Sequence, residues 1–96
     1  MTIARHVVIH GRVQGMGFRM FVEDTAERLG LAGWVRNRRD GTVEAVFAGA
    51  EALVTEAIEA CRRGPRSAHV TKIDVTDGAN LLQPQQETRF GVRQTA

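Results

Sequence analysis

The sequence predicts an α+β fold in which two split β-α-β units form an antiparallel sheet with both helices on one face. Three observations support this prediction. A cluster of β-branched residues gives way early to a helical pattern, a hairpin signal lies near the middle, and a second helical pattern precedes further strand-like segments. The resulting order is strand, helix, strand, strand, helix, strand, strand, which corresponds to the ferredoxin-like architecture. Because this architecture carries enzymes, RNA binders and metal carriers, it does not identify a function by itself.

The first half of the chain contains one strand, one helix and a hairpin. Positions 7–9 are β-branched and favour a strand. Apolar residues then recur at helical spacing, and Gly30 supplies the left-handed residue that commonly ends a helix. The pair Asp40-Gly41 is a strong hairpin signal. We therefore expect a strand over Arg5–Gly11, a helix over Phe18–Leu29, and strands over Gly33–Arg38 and Thr42–Ala48.

The second half begins with a helix over Glu51–Arg63, which is acidic at its start and basic at its end, as the helix dipole favours. Gly64-Pro65 then ends it. Its predicted apolar stripe consists of Leu53, Val54, Ala57, Ile58 and Cys61. The remaining predicted elements are a strand over His69–Thr76, a polar loop over Gly78–Gln86 and a short strand over Arg89–Arg93.

The composition is typical of a globular protein, since hydrophobic residues make up 43% and charged residues 25% of the chain. A length of 96 residues corresponds to a single domain, which we place at residues 1–96. No apolar run is long enough to span a membrane and no signal peptide opens the chain, so we expect a cytoplasmic protein without membrane contact. The only cysteine, Cys61, cannot form an internal disulfide, and this fits a reducing compartment.

The segment 11–19 (GRVQGMGFR) is the most informative part of the sequence. Gly15 and Gly17 lie where the first strand turns into the first helix, and absent side chains there let backbone N–H groups converge on a ligand. The helix N-terminus adds partial positive charge. Arg19 falls in the first helical turn, where the dipole disfavours a cation, which indicates that it serves to bind an anion. We interpret residues 14–19 as a phosphate cradle.

The cradle lacks the features of several known phosphate sites. No Gly-Lys-Ser/Thr follows it, as a Walker loop requires, and the third glycine of a dinucleotide fingerprint is absent. A cysteine-dependent phosphatase would place its nucleophile six residues before the arginine, where this chain has Val13. Cys61 lies far away on a helical stripe. The cradle can therefore hold phosphate but supplies no covalent nucleophile.

Other function classes receive less support. Aromatic residues make up only 5% of the chain and the first strand has none, so we expect no nucleic-acid partner. A single cysteine excludes an iron–sulfur or copper carrier. His6 and His10 share one face of the first strand and could form a metal pair, but no third ligand is visible. We favour packing or surface roles for both histidines and predict no metal site.

Two further groups keep alternative interpretations. Trp34 could contact substrate, although a tryptophan in a strand is more often part of the core, and we favour the core. Arg36, Arg38 and Arg39 lie close to Asn37 in the sequence. They could attract anions toward the site, and a solvated hairpin end explains them about equally well.

The residues resemble the acylphosphatase family over nearly the whole chain. The resemblance rests on segments 11–19, 29–31 (LGL), 33–37 (GWVRN), 40–44 (DGTVE), 64–65 (GP) and 90–93 (FGVR). It implies hydrolysis of the carboxyl–phosphate bond of acyl phosphates without metal or cofactor. By this resemblance Arg19 is the phosphate anchor and Asn37 positions the attacking water. Met16 replaces the more frequent valine of the family, and the segment 80–88 matches none of its motifs.

The chemistry agrees with this small set of catalytic residues. The leaving carboxylate comes from an acid with a pKa of roughly 4, so its departure needs no general acid. Arg19 can contact phosphate oxygens in a bidentate manner, whereas an asparagine amide orients water but is too weak a base to deprotonate it. A phosphate oxygen of the substrate can take the proton instead. The predicted phosphate-binding residues are Gln14, Gly15, Met16, Gly17, Phe18 and Arg19.

We therefore predict a monomeric acylphosphatase that uses a small-molecule acyl phosphate, with inorganic phosphate as product and inhibitor. The alternative is a non-enzymatic module that binds acyl phosphate or phosphate, because related domains occur inside larger carbamoyl-transfer proteins.

Overall fold

The computed structural model describes residues 2–15, 17–82 and 89–96. These residues form five strands and two α-helices, with a single 3-10 turn at Ala79–Leu81. In chain order the elements are β1 (Thr2–Arg12), α1 (Phe18–Arg28), β2 (Ala32–Asn37), β3 (Val43–Ala50), α2 (Glu51–Arg63), β4 (His69–Asp77) and β5 (Phe90–Val92).

The strands form one sheet in the order β4-β1-β3-β2-β5. The first helix connects β1 to β2 and the second connects β3 to β4, and in both cases another strand lies between the connected pair. These are the two split β-α-β units that the element order predicts. Both helices contact the sheet and each other on the same side, so the prediction of two helices on one face is confirmed.

The prediction of an antiparallel sheet is wrong for one pair of strands. Strands β2 and β5 run parallel, with Gly33 opposite Phe90, and the sheet is therefore mixed. The reason is the direction in which the chain leaves β4. Strand β4 ends beside the start of β1, and β2 begins at that same end of the sheet. A chain that crosses this end to reach the free edge of β2 must then run alongside β2 in the same direction.

The observed element boundaries differ most from the predicted ones where strand pairing continues beyond the pattern of β-branched residues. Strand β1 reaches Thr2 because its pairing with β3 extends to the Thr2–Ala50 pair. Helix α2 has the predicted bounds, but Leu53 of its predicted stripe is 36% exposed, whereas Ala60 is buried. The predicted polar loop contains the 3-10 turn, and its positions 83–86 lie outside the described residues.

The two faces of the sheet carry different residues. The face under the helices contributes Val7, Ile9, Val35 and Phe47 to the main core, which Phe18 and the helix stripes complete. On the opposite face, which we call the open face, a smaller cluster of three alanines packs near the ends of the strands. The open face also carries most of the paired charges of the sheet. Alternation along β2 places Asn37 on the helix side and its neighbour Arg36 on the open face.

Candidate active site

The cradle follows β1 and leads directly into α1. Gly15 has φ 74° and Gly17 has φ 72°, both in the left-handed region that glycine adopts without strain. An added Cβ would meet no atom within 4 Å at either position, so the requirement for glycine is conformational rather than steric. Gly17 is the N-cap of α1. The sequence prediction that both glycines lie in a strand-to-helix turn is confirmed.

The N-terminus of α1 carries uncompensated positive charge. No described side chain caps it, and its first turn contains no acidic residue. The backbone N–H groups there lack acceptors within the helix because each would need a carbonyl four residues earlier. Arg19 lies in this turn and makes no ion pair with any described residue. This end of the helix therefore concentrates donors and charge suited to an anion.

Asn37 reaches the cradle because β1 and β2 end at the same edge of the sheet. Val43, at the start of β3, pairs with Ile9 of β1 on one side and with Asn37 on the other. The backbone carbonyl of Asn37 also accepts a hydrogen bond from the N–H of Ala96 at 3.0 Å. The end of β2 is thus held on both sides, beside the loop that continues from β1.

A cavity of about 240 Å³ lies between the cradle and the end of β2. It brings together the predicted anchor Arg19 and the predicted water-positioning residue Asn37. Its lining residues are Val13, Gly15, Gly17, Phe18, Arg19, Met20 and Asn37. Met16, which the sequence also assigns to phosphate binding, lies outside the described residues.

Met20 and Val13 also line this cavity, and the sequence pattern predicts neither of them there. Val13 is buried and 1% exposed, whereas Met20 is 67% exposed. The sequence signal that could have identified Met20 is its position directly after the predicted anchor Arg19.

Among the described residues predicted to bind phosphate, Gln14 is the one that does not line the cavity. Its side-chain Nε2 donates hydrogen bonds to the backbone carbonyls of Arg38 and Thr42, the latter at 2.8 Å. Both carbonyls belong to residues 38–42, which we call the hairpin loop. The amide N–H groups of the side chain are therefore directed at the hairpin, and only the backbone N–H of Gln14 can serve the cradle.

Two arginines of segment 36–39 lie near carboxylates. Arg36 Nε donates to Glu44 Oε1 at 2.7 Å, and Arg38 Nη2 lies 3.8 Å from Asp40 Oδ2. They line a separate hollow of about 340 Å³ with Arg39. Hydrogen bonds from the Thr42 side chain and backbone lower the pKa of Asp40. Arg36 and Arg38 thus have local structural partners, which supports the hairpin-end interpretation over anion attraction for these two residues.

The two histidines of β1 each contact one carboxylate on the open face. His6 Nε2 donates to Glu44 Oε2 at 2.6 Å, and His10 Nε2 donates to Asp74 Oδ2 at 2.9 Å. Burial raises the pKa of Glu44, but hydrogen bonds from His6 and Arg36 outweigh that effect and leave the pKa below its usual value. Within residues 2–15, 17–82 and 89–96, no group of three His, Cys, Asp or Glu side chains could hold a metal ion.

Trp34 is buried, 1% exposed, but it lies on the open face rather than in the core under the helices. Its indole N–H donates to the carbonyl of Leu81 at 2.8 Å. The guanidinium groups of Arg36 and Arg93 lie 5.0 and 4.6 Å from the ring centroid. Trp34 therefore has a structural role, as expected. It contacts Leu81, Arg36 and Arg93 instead of the residues of the core under the helices.

Two further features bear on function. Burial raises the pKa of the Cys61 thiol to about 12, so this side chain stays protonated and cannot act as a nucleophile at neutral pH. Neither α-helix in the described part of the chain has the length and apolar character needed to cross a membrane.

Comparison with known proteins agrees with the site. The family described as Acylphosphatase matches residues 5–91. A protein named acylphosphatase from Rhodopseudomonas palustris is 52% identical over 97 aligned positions, covering 97% of this chain and 96% of the relative. The crystal structure of acylphosphatase from Bacillus subtilis superposes with a TM-score of 0.85 at 38% identity, covering 97% of this chain and 99% of that one. HypF from T. kodakarensis also superposes, with a TM-score of 0.77 at 31% identity over 100% of this chain but 12% of its own.

These similarities confirm the predicted family and its ferredoxin-like α+β fold. They extend over nearly the full length of the freestanding relatives, and the matched residues 5–91 include the whole cradle and Asn37. The predicted enzyme class is confirmed by the same relatives. The chain belongs to the acylphosphatase family and is a hydrolase of acyl phosphates.

Proposed function

We propose that the 240 Å³ cavity holds the phosphoryl group of an acyl phosphate while a water molecule attacks its phosphorus atom. Arg19 binds the phosphoryl oxygens and Asn37 orients the attacking water. The observation that carries this proposal is that Arg19, Asn37 and both cradle glycines line one cavity. Further phosphoryl contacts come from the backbone N–H groups of Gln14, Gly15, Met16, Gly17 and Phe18.

Electrostatics supports binding of a doubly charged phosphoryl group at this position. Arg19 lies in the first turn of α1 and lines the same cavity as the N-cap Gly17, and that turn holds no acidic residue to balance their positive charge. A bound phosphoryl group supplies the missing negative charge. Arg19 offers a planar pair of donors to its oxygens, and the cradle offers fixed backbone dipoles whose orientation costs nothing during the reaction.

The reaction needs positioning and charge stabilisation more than acid or base strength. The water oxygen forms a new bond to phosphorus, and the bond between phosphorus and the carboxyl oxygen breaks, releasing a carboxylate. The proton lost by water passes to a phosphoryl oxygen, so the products are a carboxylate and inorganic phosphate. Asn37 holds the water in line for this attack through its amide.

We propose that residues 1–96 act as one domain and as a monomer in the cytoplasm. None of the five aromatic residues, all of which are described, is an exposed stacking surface for bases, so we propose no nucleic-acid partner. Inorganic phosphate is expected to occupy the cradle as a product and to inhibit the enzyme.

The alternative interpretation, a non-enzymatic module that binds acyl phosphate without hydrolysing it, has less support than the hydrolase. The observation in its favour is the similarity to 12% of HypF, in which a domain of this fold is part of a longer chain. The two interpretations make opposite predictions for turnover. Both predict binding of acyl phosphate, but only the hydrolase converts it to a carboxylate and inorganic phosphate.

Release of phosphate from benzoyl phosphate separates them. We expect turnover that is unchanged after exhaustive treatment with EDTA, because neither the attack nor the departure of the leaving group requires a metal here. Untreated protein provides the control. Binding without turnover would favour the module, and activity lost to EDTA but restored by zinc or magnesium would contradict the mechanism.

Substitution of the two proposed catalytic residues tests their separate roles. Asn37→Ala is expected to lower kcat by about 10²–10³-fold while inhibition by inorganic phosphate stays nearly the same, because water positioning acts in the transition state. Arg19→Ala is expected to weaken both. Equal losses of phosphate affinity in the two variants would contradict this division of roles.

A further inference from the structure

We propose that the Gln14 side chain is a positioning residue that fixes the hairpin loop against the cradle and thereby sets the place of Asn37. This inference rests on the proposed role of Asn37 in orienting water. It assigns to Gln14 a second role that is separate from the backbone contact with phosphate.

The geometry of the contact is specific. Gln14 Nε2 carries two protons, and it donates to two backbone carbonyls of the hairpin loop, those of Arg38 and Thr42. The carbonyl of Thr42 also accepts the backbone N–H of Arg38 at 2.9 Å. The amide therefore contacts both sides of the hairpin loop at its base, where β2 ends and β3 is about to begin.

Arg38 directly follows Asn37, so the position of its carbonyl affects the orientation of the residue before it. Pairing to Val43 holds the backbone of Asn37 relative to the sheet. It does not hold Asn37 relative to the cradle, which is a turn outside the strand ladder. Among the described residues, the Gln14 side chain makes the only side-chain hydrogen bonds between positions 13–17 and the hairpin loop. It thus joins the phosphate-binding half of the site to the water-positioning half.

The contact requires a glutamine in particular. Glutamate has the same length but donates no hydrogen bond, and its charge would face two carbonyl oxygens. Leucine has similar bulk without donors. Asparagine keeps the amide but is one methylene shorter. The partially buried position of Gln14 makes such losses consequential, because unpaired carbonyls there have limited access to water.

The test compares Gln14→Leu with Gln94→Leu, the same change at an exposed glutamine whose side chain makes none of the described hydrogen bonds. Gln14→Leu is expected to lower kcat for benzoyl phosphate by about 10–100-fold, since small misplacement of a positioned group has effects of this size. Inhibition by inorganic phosphate is expected to change less than about twofold, because the backbone N–H of Gln14 is retained. Gln94→Leu is expected to keep wild-type kcat. Thermal melting verifies that each variant is folded, and Gln14→Asn replaces Gln14→Leu if that variant does not fold.

A double-mutant cycle distinguishes positioning from a merely structural effect. If Gln14 acts through Asn37, adding Gln14→Leu to Asn37→Ala is expected to change the residual kcat by less than about twofold. A further 10–100-fold loss in that background would overturn the proposal, as would a Gln14→Leu variant with wild-type kcat. If instead Asn37→Ala keeps wild-type kcat, the assignment of Asn37 is wrong and the role of Gln14 through it falls as well. The cycle therefore separates failure of the two proposals.

Discussion

Arg19 and Arg36 lie close to Asn37, yet their surroundings are opposite. Arg19 lines the cavity on the helix side of the sheet and has no ion-pair partner among the residues described. Arg36 lies on the open face, bonded to Glu44 at 2.7 Å and placed over the Trp34 ring at 5.0 Å. The difference shows how one chain keeps a cation available for a ligand. The structural arginine is paired with a carboxylate of the protein, whereas the proposed ligand-binding arginine has no such partner among the described residues.

Glu44 is central to this arrangement because it accepts hydrogen bonds from side chains on both neighbouring strands. It lies on β3, accepts from Arg36 of β2 and from His6 of β1, and is 8% exposed. The Thr76 hydroxyl of β4 lies 3.3 Å from the other ring nitrogen of His6. The network therefore crosses four strands of the open face. Its contacts stabilise the folded sheet and do not contribute to ligand binding.

The largest difference between Arg19 and Arg36 is expected in catalysis. Replacing each arginine with methionine removes the guanidinium and retains an unbranched apolar side chain. Arg19→Met is expected to lower kcat/KM by about 10³-fold, because it removes the charged donor to the transferred phosphoryl group. Arg36→Met is expected to change kcat/KM by less than about threefold. Hydrolysis of benzoyl phosphate measures both. Comparable losses in the two variants would show that the open-face arginine also serves the reaction.

The second test addresses stability. Glu44→Gln keeps the shape of the side chain but leaves Arg36 and His6 without a charged acceptor. It is expected to lower the free energy of unfolding by about 1–3 kcal/mol, the usual range for hydrogen bonds to charged groups. Urea denaturation at pH 7 measures this change. The folded variant is expected to keep near wild-type kcat/KM, and a large loss of activity without loss of stability would contradict the structural role.

The stabilising contribution of Glu44 depends on pH with a defined sign. Its pKa is lower in the folded protein than the ordinary value of 4.5. The unfolded state therefore binds more protons near that pH, and the contribution is complete above pH 4.5 and lost as pH falls through the folded-state pKa. The difference in unfolding free energy between wild type and Glu44→Gln is expected to shrink below about pH 4.5. A difference that stays constant down to pH 3 would contradict it.

The smallest expected effect concerns the stability of the cradle without ligand. Arg19 opposes the dipole of α1, so Arg19→Ala is expected to leave stability nearly unchanged or to increase it by about 0.3–1 kcal/mol. Phosphate binds only the folded cradle and is expected to raise the Tm of the wild type. Most of that rise is expected to disappear in Arg19→Ala. Thermal melting of both proteins in phosphate and in chloride, at matched ionic strength, tests this expectation. If Arg19→Ala melts far below the wild type without ligand, Arg19 is structural.

The local elements could be predicted from the sequence because their signals are local. Helix α2 has the predicted bounds, Glu51–Arg63, since its charges match the helix dipole and Gly64-Pro65 ends it. The position of Gly15 and Gly17 between a strand pattern and a helical pattern predicts a glycine turn, and their left-handed φ values agree. Arg19 is predicted from its place in the first helical turn, whereas Asn37 is assigned by the family resemblance, and the structure places both on one cavity. Their catalytic roles stay predictions.

Other features depend on contacts between distant segments. The sequence by itself determined the order of elements, the helix-facing core and the glycine turn, because spacing, β-branching and backbone freedom act over a few neighbouring residues. Only the tertiary structure decided that β5 runs parallel to β2, that Arg36 has a buried carboxylate partner while Arg19 has none among the described residues, and that the Gln14 amide contacts the hairpin loop. These three features depend on the end of the sheet at which the chain leaves β4 and on the faces of the elements that pack together. No local pattern encodes them, because the partners are far apart in the chain and are brought together only by the assembled sheet.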